Sequence, residues 1–600
     1  MKRSVKIAIG LIVVGGIAYG AKFVSDNFII SLPDYPATQK VAWLDQGWQP
    51  KERAWFHHAN QGTVTFGIPL EWFKALEQPT ISLSAAGLLS DPAYLDSFGF
   101  IPGSVDGTTQ DLPVGIAMGG QMLDPDTGKP WQNPQTHADT TRIGFTCAAC
   151  HTGRMTYQGT TIVIDGGPAL TNLGKFRTAV GLSLLFTKYM PFRFGRFADS
   201  LLGADASAAA KDELKTQLEG ALKQVKLIHD LDEKVKGQSV DEGYGRLDAL
   251  NRIGNQVFAL DLKKDENYVG TSAPVHYPRI WNAPWFDWVQ YNGSIEQPMV
   301  RNAGEALGVG TLLNLTDSAR PLYASGIEVK TLFEMEKMLA GEQPDASRGF
   351  TGLKSPAWPA DILPPIDQAL AAKGETLYRE ICKQCHLAPV TEPEFWNSDR
   401  WLPPNEFGQR YFRVELIDVK HIGTDPAQAA GMLARTVTLP PDLGITRNEF
   451  GFALGQLVEK TLNQWYDSQT PPVPLALRDQ MNGYRKNGIQ APLAYKVRPL
   501  NGIWATPPYL HNGSVPTLYA LLSPVKERPE KFYLGNREYD PVNVGYRTEK
   551  IDGGFEFDTT IPGNFNTGHE FNDGPPKDGL IGRLLTPDER RALIEYLKKL

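Results

Sequence analysis

All four cysteines of this 600-residue chain lie in two short segments, "GFTCAACHTG" and "REICKQCHLA": Cys147 and Cys150 followed by His151, and Cys382 and Cys385 followed by His386. In a C-x-x-C-H segment two thiols can add to the vinyl groups of one haem, and the next histidine then lies under the iron as proximal ligand. The rival chemistries are zinc binding and thiol redox cycling, for which C-x-x-C is also a core element. Neither accounts for a histidine after both pairs, and a shared zinc site would have to join pairs more than two hundred residues apart. The segments therefore predict two covalently bound c-type haems on Cys147, Cys150, Cys382 and Cys385, with His151 and His386 as iron ligands.

The elements around the motifs must place them. Upstream of the second, "DQALAAKGETLYREI" puts Ala369, Leu370, Gly374, Leu377, Tyr378 and Ile381 on one helical face. The last segment, "LTPDERRALIEYLKKL", opens with Thr586 as N-cap, Pro587 at the first helical position and Glu589 three residues after the cap. Its apolar stripe is Leu593, Ile594, Leu597 and Leu600. Such a pair of helices flanking C-x-x-C-H is that of a cytochrome c domain. Behind the first motif, "TYQGTTIVIDGG" reads as a short hairpin around a Gly turn. Residues from about 206 to 236 read as an amphipathic helix with Leu214, Leu218, Leu222 and Val225 inward, and with His229 as a surface or packing residue. The Pro-rich run 353–368 marks a domain boundary. The fold class expected is mainly α: two cytochrome c-like haem domains, 31–352 and 366–600, with long irregular insertions and a few short β-hairpins. The 58 glycines and 45 prolines suit loops wrapped on a cofactor.

The net charge of -7 argues against a nucleic-acid partner. At the N-terminus Lys2, Arg3 and Lys6 precede an apolar run from Ile7 to Ala21, so residues 1–30 read as a cleaved signal peptide or an uncleaved membrane anchor. Either form places the rest of the chain outside the cytoplasm, where c-type haem is attached in bacteria: in the periplasm, anchored in the inner membrane or not, or secreted from the cell.

Several segments carry a wider likeness: "DLPVGIAM", "FTCAACHTGRMTYQG", "IDGGPALTNLGKF", "WFDWVQYNGSIEQPMVRNAGEALGVG", "RPLNGIWATPPYLHNGSVPTLYALL" and "IPGNFNTGHEF". Together they resemble the di-haem proteins related to bacterial rubber oxygenase, a branch of the di-haem cytochrome c peroxidase and MauG superfamily. The resemblance implies a reactive N-terminal haem without a strong distal protein ligand and an electron-transfer C-terminal haem. Some relatives also bridge the domains with Ca2+, a further candidate cofactor. For the sixth position of the second haem the chain offers His421, His511, His569, Met432 and Met481. The resemblance points to a histidine near the end of the chain, which His569 matches, with His511 next.

The stretch from Trp281 to Glu305 is the candidate lining of the reactive pocket. Trp281, Trp285, Phe286, Trp288 and Tyr291 would form an apolar wall or an electron path, although aromatics near haem often only pack. Arg301 and Glu305, one helical turn apart, have the chemistry that O–O cleavage needs, a cation and a proton carrier. They equally suit a structural ion pair. Three functions follow: a peroxidase fed by a small periplasmic cytochrome or cupredoxin, a dioxygenase cleaving an apolar alkene, and a pure electron-transfer cytochrome.

Overall fold

The computed structural model describes residues 29–36, 38–105, 108–109, 112–124 and 127–600. The basic and apolar stretch from Lys2 to Ala21, read as a signal peptide or anchor, lies outside them, and among the described residues no helix is long and apolar enough to cross a membrane. Helix makes up 37% and strand 14%, so the fold is mixed α and β and not mainly α. The strands escaped the sequence reading because they are short and most pair far from their own segment. Among the described residues they form one three-stranded sheet and seven two-stranded pairs.

The three-stranded sheet sits behind the first motif. Thr152–Tyr157 and Thr160–Asp165 form the expected hairpin, turned by Gln158 (φ 46°) and Gly159 (φ 78°). Two consecutive positive φ values match the right-handed strand twist, and glycine at the second position carries no steric penalty. Lys40–Trp43 adds to the hairpin in parallel, in register with Thr160–Val163. A second pair, Ile116–Gln121 with Thr141–Phe145, leads directly into Cys147. The helix Pro50–His58, started by a Gln49/Glu52 capping box and Pro50, packs on the one-turn helix Cys147–Ala149. Outside these strands an aromatic core closes around Phe176, which meets Phe66, Phe98 and Phe100 edge to face. The expected amphipathic helix covers it: Ala208–Val235, capped by Ser207, buries Leu214 and Leu218 while Leu222 and Val225 pack at the margin and His229 is exposed.

Around the second motif the helix Gln368–Ile381 crosses the terminal helix Pro587–Leu597, whose Thr586/Glu589 capping box and Pro587 stand where the sequence puts them. The crossing is close: a Cβ on Gly374 would lie 2.0 Å from the Ala592 carbonyl oxygen. Gly374→Ala is therefore expected to destabilise the helix pair by about 1–3 kcal/mol, as overpacking against backbone does. A denaturant midpoint unchanged from wild type would refute this. The run 353–368 is irregular but partly buried, with Leu353, Trp358 and Leu363 in the largest core, and that core draws residues from both sides of it.

Candidate functional site

The two motif histidines, His151 and His386, are held alike. His151 Nδ1 stands 2.8 Å from the Pro278 carbonyl oxygen, and His386 Nδ1 stands 2.9 Å from that of Arg498. A ring that donates its Nδ1 proton to a carbonyl keeps Nε2 free for a metal and fixes its plane. Burial holds both imidazoles below their ordinary range, His151 at about 4 with Arg301 and Arg498 adding to the effect, so the rings are neutral as ligands must be. Burial also pushes the Cys147 and Cys150 thiols up to about 12. Dithiol redox chemistry needs thiolates and is not favoured here. Nor do three or more His, Cys, Asp or Glu side chains converge as a metal cage among the described residues, so the cysteine pairs make no shared zinc site.

The carbonyl anchors begin two copies of one loop. Pro278 stands as far before Asn292-Gly293-Ser294 as Arg498 stands before Asn512-Gly513-Ser514. Matched positions share left-handed backbone: Asn282 and Gly502 at 66° and 68°, Gln290 and Leu510 at 66° and 61°, Gly293 and Gly513 at 63° and 72°. Each loop has a short 3-10 turn, Ala283–Trp285 or Ile503–Ala505, and closes with a bridge, Val289 to Ile295 or Tyr509 to Val515. The sequence signal was present in "YNGSI" and "HNGSV" but is short, and the functional atoms are main-chain oxygens with no side-chain signature.

The copies differ in what they grip. In the second, Asn512 Nδ2 donates to the carbonyls of Gly563 (3.3 Å) and Phe565 (3.1 Å), and Ser514 Oγ donates to Phe565 (3.0 Å). That segment continues to His569, whose ring centre lies 6.4 Å from that of His386. Two imidazoles on one metal at about 2 Å each would have ring centres roughly 6 Å apart, so this slot fits a macrocycle between them. His569 Nδ1 is buried without a partner, and burial holds the ring at about 3, neutral and available. The other sixth-ligand candidates stand elsewhere. His511 stacks on Tyr495 at 4.0 Å, His421 is exposed, and Met432 and Met481 are buried in a helical core. In the first copy the amide of Asn292 and the hydroxyl of Ser294 grip nothing among the described residues.

Arg301 and Glu305 lie on the helix Pro298–Gly308 within electrostatic reach of Cys147. Arg301 pairs with Glu336, a residue the sequence reading missed because it comes from the separate helix Val329–Ala340. Glu305 accepts a bond from Gln290 Nε2 at 3.0 Å, and burial raises its pKa. Gln61, also missed, points its Nε2 at Cys147 Sγ, 3.0 Å away. Trp281 is fully buried between the two loops, its Nε1 donating to Asn501. Trp288 stands apart from the expected pocket: it packs with Phe286, Phe395, Trp401 and Phe412 beside Leu387, next to the second motif. The loop turns at Asp287, whose carboxylate takes the amides of Trp288 and Val414, and this sends the indole that way.

Beneath the first motif Asp165 holds Arg53 Nε at 2.6 Å and His57 Nε2 at 2.7 Å, all three buried. The next residue, Gly166, donates its amide to the His151 carbonyl. Burial alone would raise the Asp165 pKa, but the His57 hydrogen bond and the His57 and Arg53 charges hold it below the ordinary range. A depressed folded pKa contributes stability above the unfolded value of about 3.9, lost as pH falls through the folded one. Asp165→Asn is expected to cost about 3–5 kcal/mol at neutral pH by leaving Arg53 buried and unpaired. It should also flatten acid denaturation below about pH 4. A melting curve against pH that matches wild type would exclude this.

The chain carries a cytochrome c-like domain. Residues 494–533, which hold the second carbonyl anchor and its loop, match the family described as RoxA-like, cytochrome c-like, and such a domain implies covalently bound c-type haem. The chain belongs to one family with "Uncharacterized protein y4iJ" of Sinorhizobium fredii (strain NBRC 101917 / NGR234), to which it is 58% identical over 97% of each chain. A second protein of that strain, "Uncharacterized protein y4iM", is 28% identical over 54% of this chain and 63% of its own length.

Proposed function

We propose that the protein is an exported di-haem c-type cytochrome oxidoreductase that meets peroxide or dioxygen at the His151 site and relays electrons through the His386 site. The observation that carries this is the asymmetry of the two loops. The second grips the segment that sets His569 opposite His386, so these two imidazoles would together hold the second haem and leave it to relay electrons. The first grips no such segment: the Asn292 amide and the Ser294 hydroxyl find no partner among the described residues. A relay needs no free coordination position, whereas oxidant chemistry needs one.

The haems supply the one-electron and oxygen chemistry. The chain orients His151 through Pro278 and excludes water with a buried wall. Burial raises the Glu305 pKa, which favours its protonated form, and the Arg301 cation, steadied by Glu336, stands one turn away. These are the acid and the charge that splitting an O–O bond uses. Electrons enter from a small periplasmic cytochrome or cupredoxin at the His386 side, and Trp281 stands between the loops. The likeness of residues 494–533 to RoxA-like domains favours a second reading, a dioxygenase cleaving an apolar alkene.

The deciding experiment supplies the reduced, haem-loaded protein with peroxide and a reduced cytochrome or cupredoxin, and separately with dioxygen and an apolar alkene. Peroxide turnover supports the first reading, alkene cleavage supports the second, and neither leaves an electron carrier. Fractionation with N-terminal sequencing of the haem-stained band tests location. Retention in the periplasm is expected, and a cleaved form in the medium would favour the dioxygenase.

A further inference from the structure

Between the two loops the interior holds positive charge without negative partners. Arg279, the residue after the first carbonyl anchor, donates from Nη2 to the Pro499 carbonyl at 2.6 Å. Arg498, itself the second anchor, donates from Nη1 to the Arg279 carbonyl at 2.8 Å and from Nη2 to that of Trp281 at 3.4 Å. Each loop's arginine thus reaches into the other loop. Arg498 Nε has no partner, and Arg498 lines the cavity beside Cys385 and His386. Lys496, two residues earlier in the strand Ala494–Lys496, lies within electrostatic reach of Arg498, Arg301 and Arg279. Its ammonium makes no hydrogen bond or ion pair among the described residues.

Among the described residues none of these three cations makes an ion pair. Asp287 is an acidic group whose field reaches Lys496, and its Oδ1 is taken by the amides of Trp288 and Val414. Arg279 has the phenols of Tyr291 and Tyr509 in its field and Arg498 that of Tyr291, with the Phe286 ring centre 5.5 Å from the Arg498 guanidinium carbon. Burial and mutual repulsion hold the Lys496 pKa well below its usual value, so the cluster lacks its counter-charge. A buried ion persists only when paired or supplied with its partner. Arg498 is felt by His151 and Arg279 by His386, so the cluster serves both proximal sites.

We infer that Arg279, Lys496 and Arg498 form one shared cradle for the propionate carboxylates of both macrocycles. This rests on the di-haem reading above. Each haem carries two carboxylates, and a guanidinium or ammonium is their ordinary partner. A shared cradle gives the two haems one electrostatic environment through crossed arginines.

The test uses haem-loaded full-length protein and Lys496→Met, which removes the charge and keeps the length. Removing a cation near a haem disfavours its reduced form, so at least one midpoint potential should fall. The propionate bending band in the resonance Raman spectrum should also move towards that of solvent-exposed carboxylates, and Lys496→Arg should restore both. Lys496→Met with two haems, unchanged potentials and an unmoved band would overturn the cradle and leave the di-haem reading standing. A wild-type mass showing fewer than two haems would overturn both. Should Lys496→Met fail to load, the wild-type band decides: at the frequency of strongly bonded propionates it supports the cradle, and at that of free ones it overturns it.

Discussion

Replacing His569 by alanine is expected to turn one of two haems from low to high spin while both stay attached. Thioether bonds at Cys382 and Cys385 would be independent of the sixth ligand, so attachment should survive. The loop should survive as well, because its shape is imposed from outside the imidazole. Arg528 donates to the carbonyls of Asn566, Gly568 and His569, and the His569 amide donates to Ile422. Gly568 must stay glycine, since a Cβ there would meet the Gly423 carbonyl carbon at 2.2 Å. The variant therefore leaves a preformed hole the size of an imidazole, and added imidazole should return the low-spin spectrum. Cyanide should perturb one haem in the wild type and both in His569→Ala. An unaltered spectrum in the variant would move the sixth ligand to another side chain. His511, stacked flat on Tyr495, would have to rotate away to serve.

What the sequence made legible was local. The C-x-x-C-H spacing carries its own chemistry, the Thr586 capping box names a helix start, and the leucines of Ala208–Val235 recur with helical period. His569 was reached through resemblance, and the structure sets its ring opposite His386. The rest was hidden by distance or by chemistry without side chains. The strand Glu570–Phe571 pairs in parallel with Leu580–Gly582, and two residues are too few to show alternation. The mixed character of the fold is the sum of many such pairs. The duplicated loop was masked because one backbone conformation is met by different residues, Asn282 against Gly502 and Gln290 against Leu510. Glu336 gave no signal, since it joins Arg301 from another helix. Trp288 was drawn to the first site by closeness in sequence to Trp281, yet the two pack into different cores, Trp281 with Trp504 and Trp288 with Phe395 and Trp401.

Replacing both Cys147 and Cys150 by serine is expected to lower the mass by one covalently bound haem and to abolish reaction with peroxide or dioxygen. Each haem of a c-type site depends on its own thiols, and the second pair belongs to a separate helix pair, Gln368–Ile381 with Pro587–Leu597. Denatured variant should therefore keep about half the haem stain, and the folded variant should keep the low-spin spectrum expected of a haem held by His569 and His386. The reciprocal Cys382→Ser/Cys385→Ser variant should keep the other half. It should still bind a small ligand at the His151 site but lose turnover with a protein electron donor, because the electrons have lost their entry. The two variants separate the proposed roles where haem counting alone does not. If the Cys147/Cys150 variant still turns over the oxidant, the reactive site lies at His386 and the roles are reversed. If its mass is that of the wild type, the first motif carries no covalent haem, and the asymmetry of the loops must have another origin.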